Sequence, residues 1–146
     1  MSPSDTDTDG TGPTRLLEPP PASEATAPYW DATREQRLVL PWCTQCDEAF
    51  WFPREVCPGC LAPDVEWRPA AGTGVVYAAS VHHKPGFGRS PDDGPYVVAL
   101  VELPEGVRMM SNVVGVPPDD VVVGMPVALA WHPLSDGRHL PVFTPA

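Results

Sequence analysis

From residue 73 onward the chain breaks into short apolar runs with glycine or proline in every gap: 73–83, 95–103, 107–114, 121–123 with 126–132, and 140–143. Val, Ala, Leu and aromatic residues dominate these runs, which predicts β-strands. Glu105-Gly106, between Leu103 and Val107, predicts a tight hairpin in which glycine supplies the positive φ. Five or so strands in this length, with no helix strong enough for a crossover, predict a small antiparallel barrel. The five-stranded OB-fold is the commonest barrel of this size, and an SH3-like barrel is the alternative that strand count leaves open.

Upstream the period changes. In residues 29–40, Tyr29, Trp30, Thr33, Arg37, Leu38 and Leu40 alternate with Asp31, Arg34, Glu35 and Gln36. Pro28 sits where a first-turn proline is tolerated, and the pattern predicts a short helix. Val65 and Trp67 alternate with Glu66 and Arg68 as a half-buried strand would, and residues 69–74 read as a turn-rich hinge. Residues 1–27 are rich in Ser, Thr, Asp, Pro and Ala, with Leu16 and Leu17 the only adjacent large apolar pair. Such a segment buries too little to offset ordering and is expected to be a disordered tail. The expected organisation is a tail over 1–27, helix plus ribbon over 28–68 and barrel over 69–146. The fold class is mainly β, with a short helix and a rubredoxin-like zinc ribbon ahead of the barrel.

All four cysteines fall between 43 and 60, as Cys43-Thr-Gln-Cys46 and Cys57-Pro-Gly-Cys60 with ten residues between the pairs. A two-residue gap lets both sulfurs of a knuckle reach one ion, and two knuckles complete a tetrahedral Zn²⁺ shell. With four thiolates no position is left for water, so the zinc is expected to be structural. The alternative is a pair of disulfides or a redox Cys-x-x-Cys; the latter would open a helix in a βαβ pattern and would need no second copy. The intervening loop carries Phe50, Trp51 and Phe52, a hydrophobic patch for a neighbouring domain. Tyr29 and Trp30 have two roles open, packing on the ribbon or docking on a partner protein.

Charge removes one function class. The net charge is −10, with a single lysine, Lys84, and eight scattered arginines, and about −6 remains without the first 26 residues. Nucleic-acid binding needs clustered Lys and Arg, so a nucleic-acid-binding barrel is the least favoured reading. No apolar run is long enough to span a membrane, and no basic-then-apolar leader is present, so a cytoplasmic protein is expected. Thiols reserved for metal fit a reducing compartment.

His82, His83 and Lys84 precede a loop carrying Phe87 and Arg89, the only local cluster of acid/base candidates and positive charge, with Asp92 and Asp93 nearby. An imidazole base needs a substrate proton within reach and a group to orient it, and no nucleophile here has an activating neighbour. Ser80, Ser90 and Ser111 lie in no recognisable motif. No catalytic residue is therefore assigned. The same cations and Phe87 are better suited to an anionic ligand with an apolar arm, or they are the solvated residues of an ordinary hairpin loop. On an alternating strand Trp131-His132 presents one side chain inward and one outward.

The order of these parts resembles one family. The aromatic helix, the ribbon with Pro53-Arg54 before its second knuckle, Ala71-Gly72-Thr73-Gly74-Val75-Val76-Tyr77, Pro95 to Leu103, Glu105-Gly106-Val107-Arg108, Val123-Gly124-Met125-Pro126-Val127 and Leu140 to Pro145 carry the likeness. It is the zinc-ribbon plus OB-fold family associated with acyl-CoA metabolism, long catalogued as a domain of unknown function. The resemblance implies an auxiliary subunit without catalytic residues, beside a thiolase-like acyl-CoA enzyme or a hot-dog-fold hydratase. It also implies a role in C–C bond cleavage or formation on acyl-CoA thioesters, steroid side-chain retro-aldol cleavage among them. A CoA ester is the ligand so implied for His82, His83, Lys84, Phe87 and Arg89; a stand-alone acyl-CoA-binding module is the alternative. Where the family often has glycine after each knuckle this chain has Asp47 and Leu61, which leaves the knuckle turns open.

Overall fold

The computed structural model describes residues 19–84 and 91–146. One helix, α1 (Ala27–Thr33), leads into a three-stranded sheet ordered β2 (Glu48–Ala49), β1 (Val39–Cys43), β3 (Val65–Pro69). The remaining strands, β4 (Thr73–His82), β5 (Tyr96–Glu102), β6 (Arg108–Val113), β7 (Pro126–Pro133) and β8 (His139–Pro145), close a barrel in the order β4-β5-β6-β8-β7. All barrel pairs are antiparallel except β6 with β8, which run parallel at Val113 and Phe143. This is the five-stranded Greek-key OB arrangement, and the SH3-like alternative falls away.

Two expected elements are shorter than their patterns suggested. The helix ends at Thr33 rather than near Leu40. There the chain turns with Gln36 in the left-handed region (φ 55°), while the Arg37 and Gln36 amides donate to the Ala32 and Thr33 carbonyls, each at 3.0 Å. This pair of bonds is the Schellman arrangement that stops a helix. Leu38 and Leu40 are buried, but Leu40 sits in β1, paired with Arg68. Residues 121–123 are not a strand. They follow a 3-10 turn (Pro118–Asp120), Val122 and Val123 are exposed, and Gly124 (φ 93°) makes the turn into β7. The hairpin at Glu105-Gly106 forms as expected, with Gly106 at φ 92° and a Leu103 amide to Val107 carbonyl bond of 2.9 Å.

The barrel core is the inward row of each strand: Val76, Val101 and Met109, then Val97, Val113, Val127 and Phe143. Tyr29, Leu38 and Leu40 belong to the same buried cluster, so α1 and the ribbon sheet share the barrel's core. Hydrogen bonds stitch the seam. The Ala70 amide donates to the Leu38 carbonyl (2.9 Å) and the Ala71 amide to Glu105 Oε2 (2.8 Å). At the end of α1 the His139 amide donates to Thr33 Oγ1 (3.2 Å), and Arg34 Nη1 donates to the Asp136 carbonyl (2.8 Å). Arg138, buried at 6% exposure, stacks on Trp30 (4.7 Å) and bonds Asp136 through Nε (2.7 Å). Burial pushes the Asp136 carboxyl up, but donation from the Arg138 amide and guanidinium outweighs this and holds it below the ordinary carboxylate range. Of the residues expected to form a tail, 1–18 lie outside the described residues. From Pro19 the chain is described, with a turn at Ser23 and Thr26 whose backbone and hydroxyl groups bond one another.

β4 and β5 approach unusually closely at Gly74. A methyl there would stand 2.5 Å from Val101 Cγ1 and 2.9 Å from the Glu102 carbonyl oxygen, both inside contact distance. Gly74→Ala is expected to cost about 1–3 kcal/mol through overpacking. The check is a lowered urea midpoint at unchanged slope; an unshifted midpoint would contradict the close approach.

Candidate metal centre and apolar groove

The ribbon brings Cys43, Cys46, Cys57 and Cys60 to one point, their Sγ atoms all within 4.8 Å of one another. Cys43 ends β1 and Cys57 opens the second knuckle; both are buried, while Cys46 and Cys60 face solvent. Each knuckle closes by the same bond: Asp47 amide to Cys43 carbonyl and Leu61 amide to Cys57 carbonyl, both 2.8 Å. Asp47 (φ 56°) and Leu61 (φ 63°) adopt the left-handed conformation that glycine takes without strain. The departure from glycine therefore leaves the turn intact. Amides also aim at sulfur, Cys46 to Cys43 Sγ and Gly59 to Cys57 Sγ, each at 3.3 Å.

These sulfurs fit a zinc ion. A tetrahedron with Zn–S bonds of about 2.3 Å has edges of about 3.8 Å, and Cys43 and Cys60 Sγ stand 3.6 Å apart. The Cys60 and Gly59 amides pull the Cys57 thiol down to about 7, whereas hydrogen bonds with the Cys60 and Cys43 sulfurs push Cys46 up to about 12. Four sulfurs this close do not all ionise unless a cation stands among them. The disulfide alternative is not realised, since all four cysteines are free. Bound there, zinc supplies a structural cross-link between β1 and the second knuckle, with no open position for chemistry.

Phe50, expected in an interface, is buried against Cys43 and Cys57 inside the ribbon. Tyr29 also turns inward, and burial raises its phenol far above the ordinary range. Phe50 is thus an interior side chain rather than part of an exposed patch, and of the two roles open to Tyr29 its burial fits packing. Trp30 and Trp51 are half-buried, and Phe52 is 61% exposed. The four rings form an edge-to-face series, Trp30–Tyr29 (5.0 Å), Tyr29–Trp51 (5.2 Å) and Trp51–Phe52 (5.9 Å). Between this series and the outer face of β5 and β6 run two adjoining hollows of ≈ 460 and ≈ 340 Å³, both touching Trp51, Met110 and Leu140. Arg108 stands at one edge, stacked 3.6 Å over Tyr77 and 3.5 Å from Glu102.

Sequence reasoning missed the opposite wall, Leu100, Met110 and Leu140. A signal existed: β5 is apolar at every position from Tyr96 to Val101, so both of its faces, not one, need cover. The expected anion cluster is only partly described. His82 ends β4 stacked on Tyr96 (5.2 Å), and His83 and Lys84 are exposed. Phe87 and Arg89 lie outside the described residues, as does Ser90. Asp92 and Asp93 lie in a 3-10 turn, and Ser111 Oγ donates to the Pro141 carbonyl rather than toward a base. Trp131 packs on the core and meets His139 edge-to-face at 6.3 Å. No helix among the described residues is long and apolar enough to cross a membrane.

A four-cysteine ribbon fused through a shared core to an OB barrel defines a small zinc-ribbon plus OB-fold protein. Two family models match it in tandem, "ChsH2, rubredoxin-like zinc ribbon domain" over residues 30–66 and "ChsH2, C-terminal OB-fold domain" over 67–132. The chain belongs to this ChsH2 (DUF35) family. It is 41% identical over 133 residues to a probable enoyl-CoA hydratase alpha subunit of Thermomonospora curvata, covering 90% of this chain and 41% of that protein. The chain thus spans about two fifths of that relative's length. It is 33% identical to a DUF35 domain-containing scaffold protein of Methanocaldococcus jannaschii, covering 68% of this chain and 70% of that one. Among solved structures it is similar to one described as Ltp2-ChsH2(DUF35) aldolase, with a TM-score of 0.78 and 41% identity, covering 87% of this chain and 98% of that chain.

Removing the metal tests the centre. The purified protein is expected to carry about one zinc per chain by elemental analysis. Cys46→Ser, an exposed ligand that displaces no core, is expected to lose most of that zinc and lower Tm. Protons compete with zinc for thiolates, so zinc-dependent stability is full where the thiols are ionised and falls as pH drops. A metal-free protein with undiminished Tm would refute the structural role.

Proposed function

We propose that this chain is a non-catalytic auxiliary subunit that binds and supports an acyl-CoA enzyme. The observation that carries the reading is its similarity along nearly the whole of one chain of the structure described as an Ltp2-ChsH2(DUF35) aldolase. The similarity to a hydratase alpha subunit and to a protein named as a scaffold supports it from two other directions. The partner is a thiolase-like enzyme working on acyl-CoA thioesters, with a hot-dog-fold hydratase as a second associate. The reaction is C–C bond cleavage or formation, and steroid side-chain retro-aldol cleavage is the case the aldolase similarity favours. The setting is the cytoplasm, with no role for nucleic acid or membrane.

The contact surface in this reading is the outer face of the barrel beside the ribbon. Phe52 and Met110 are 61% and 69% exposed, and Tyr77 is 46% exposed. Apolar side chains so exposed around a groove mark a surface for a protein partner. Zinc serves this surface indirectly, since the ribbon it closes carries Trp51 and Phe52.

Affinity-tagged protein from the native host is expected to bring down a thiolase-like enzyme in stoichiometric amount. Phe52→Asp should weaken that association at least about tenfold while leaving Tm unchanged, because its side chain is 61% exposed. Recovery of no such enzyme, or an acyl-CoA activity indifferent to this subunit, would sink the reading.

A second reading concerns the ligand. His82, His83 and Lys84 stand at the β4–β5 end of the barrel, where OB-folds commonly take ligands. In this reading they hold the anionic part of a CoA ester, with Phe87 and Arg89 further along the loop. Calorimetric titration with a CoA ester is expected to show binding that Lys84→Ala weakens several-fold, about 1 kcal/mol. Heat independent of residue 84 would overturn the assignment.

A further inference from the structure

The groove opens beside the point where the described chain begins. Its wall begins at Pro20, whose carbonyl accepts a 2.7 Å hydrogen bond from Arg138 Nη2. Pro20 is thus both part of the groove and the point where the N-terminal segment is tied to the fold. The residues immediately before the Pro19-Pro20 pair are Leu16, Leu17 and Glu18, and no other large apolar residues stand side by side in the first 26. At a reach of at most about 3.6 Å per residue, Leu17 stays within about 11 Å of Pro20 and Leu16 within about 14 Å. The tether therefore leaves both leucines within reach of an apolar hollow of ≈ 460 Å³ walled by Trp30, Trp51, Phe52, Leu100 and Met110.

Arg138 supplies an independent mark. It is 6% exposed, its Nε is held by Asp136 and its Nη2 by Pro20, yet Nη1 has no hydrogen-bond partner among the described residues. A buried guanidinium donor left without an acceptor is costly, and such groups in native proteins have partners. Glu18 lies two residues before the carbonyl that Nη2 already holds, and the next carboxylate toward the N-terminus is Asp9.

We propose that residues 16–18 dock into this groove, with the Leu16 and Leu17 side chains against Trp51 and Met110 and the Glu18 carboxylate accepting from Arg138 Nη1. The segment is a short apolar peptide with an acidic end, matched to an apolar trough with a buried cation at its head. Docking stands on the isolated chain and holds whether or not the groove also meets a partner enzyme.

The test uses the full-length chain with labelled leucine and methionine methyls and tryptophan rings. The expected result is nuclear Overhauser contacts from Leu16 or Leu17 methyls to Trp51 or Met110, unchanged on dilution and lost in Met110→Lys. Leu16→Ser with Leu17→Ser is expected to raise affinity for an apolar fluorescent dye about fivefold, because the groove is freed, and a peptide of residues 13–20 should reverse the gain. Glu18→Gln is expected to move the Arg138 Nη resonances. Leucine methyls at free-peptide shifts, without contacts to the groove and with dye affinity unaltered, would overturn the proposal. Contacts that vanish on dilution would overturn it in favour of a second copy's segment. Arg138 resonances unmoved by Glu18→Gln would overturn the carboxylate half alone.

Discussion

Four sulfurs that gather at one point hold together a sheet too small to hold itself. The ribbon's strands are five, two and five residues long, and its own buried cluster is only Cys43, Phe50 and Cys57, with Val65 against it. That is far less apolar surface than an independent fold needs, which is why small ribbons take their folding energy from a metal. The knuckles accept left-handed conformations at Asp47 and Leu61, neither of them glycine. Backbone strain of this kind persists where the surroundings overdetermine it. Here the paired amide–carbonyl closures and the gathering of four sulfurs at one point do so.

The second dependence runs from ribbon to barrel. Trp51 follows the buried Phe50, so once the knuckles fix Phe50 the next ring is aimed at Tyr29 and the barrel. Tyr29, Leu38 and Leu40 then complete a core that also contains Val101 and Phe143. At the opposite side Arg138 joins α1, the β7–β8 turn and Pro20 through one guanidinium. Helix, ribbon and barrel are consequently one packing unit, and the groove is the gap left where the aromatic series bridges to β5 and β6. Its shape follows from side chains on four elements distant in sequence.

The metal centre was legible because a ligand set needs only residue type and spacing, and Cys43, Cys46, Cys57 and Cys60 carry both. The barrel strands were legible because alternation and glycine punctuation survive in any context. Residues 34–40 were misread because their apolar spacing fits a helix and a strand about equally well. The left-handed turn at Gln36 and pairing to β3 decided for the strand. Residues 121–123 carry strand propensity but lie in a turn joined to β4 through the Gly124 amide and Val76 carbonyl. β-Propensity reports fit to a pleated surface, and no strand partner was present there.

By itself the sequence determined the four clustered cysteines, the five barrel strands, the order of ribbon and barrel, and the acidic net charge. These depend on local spacing or on sums. Only the tertiary structure decided that Tyr29 and Phe50 face inward while Phe52 and Met110 face out, and that Arg138 is buried at a three-way junction. An aromatic residue reads the same in sequence whether it fills a core or an interface, because the difference lies in what packs against it. For the groove those neighbours come from residues 20 to 140.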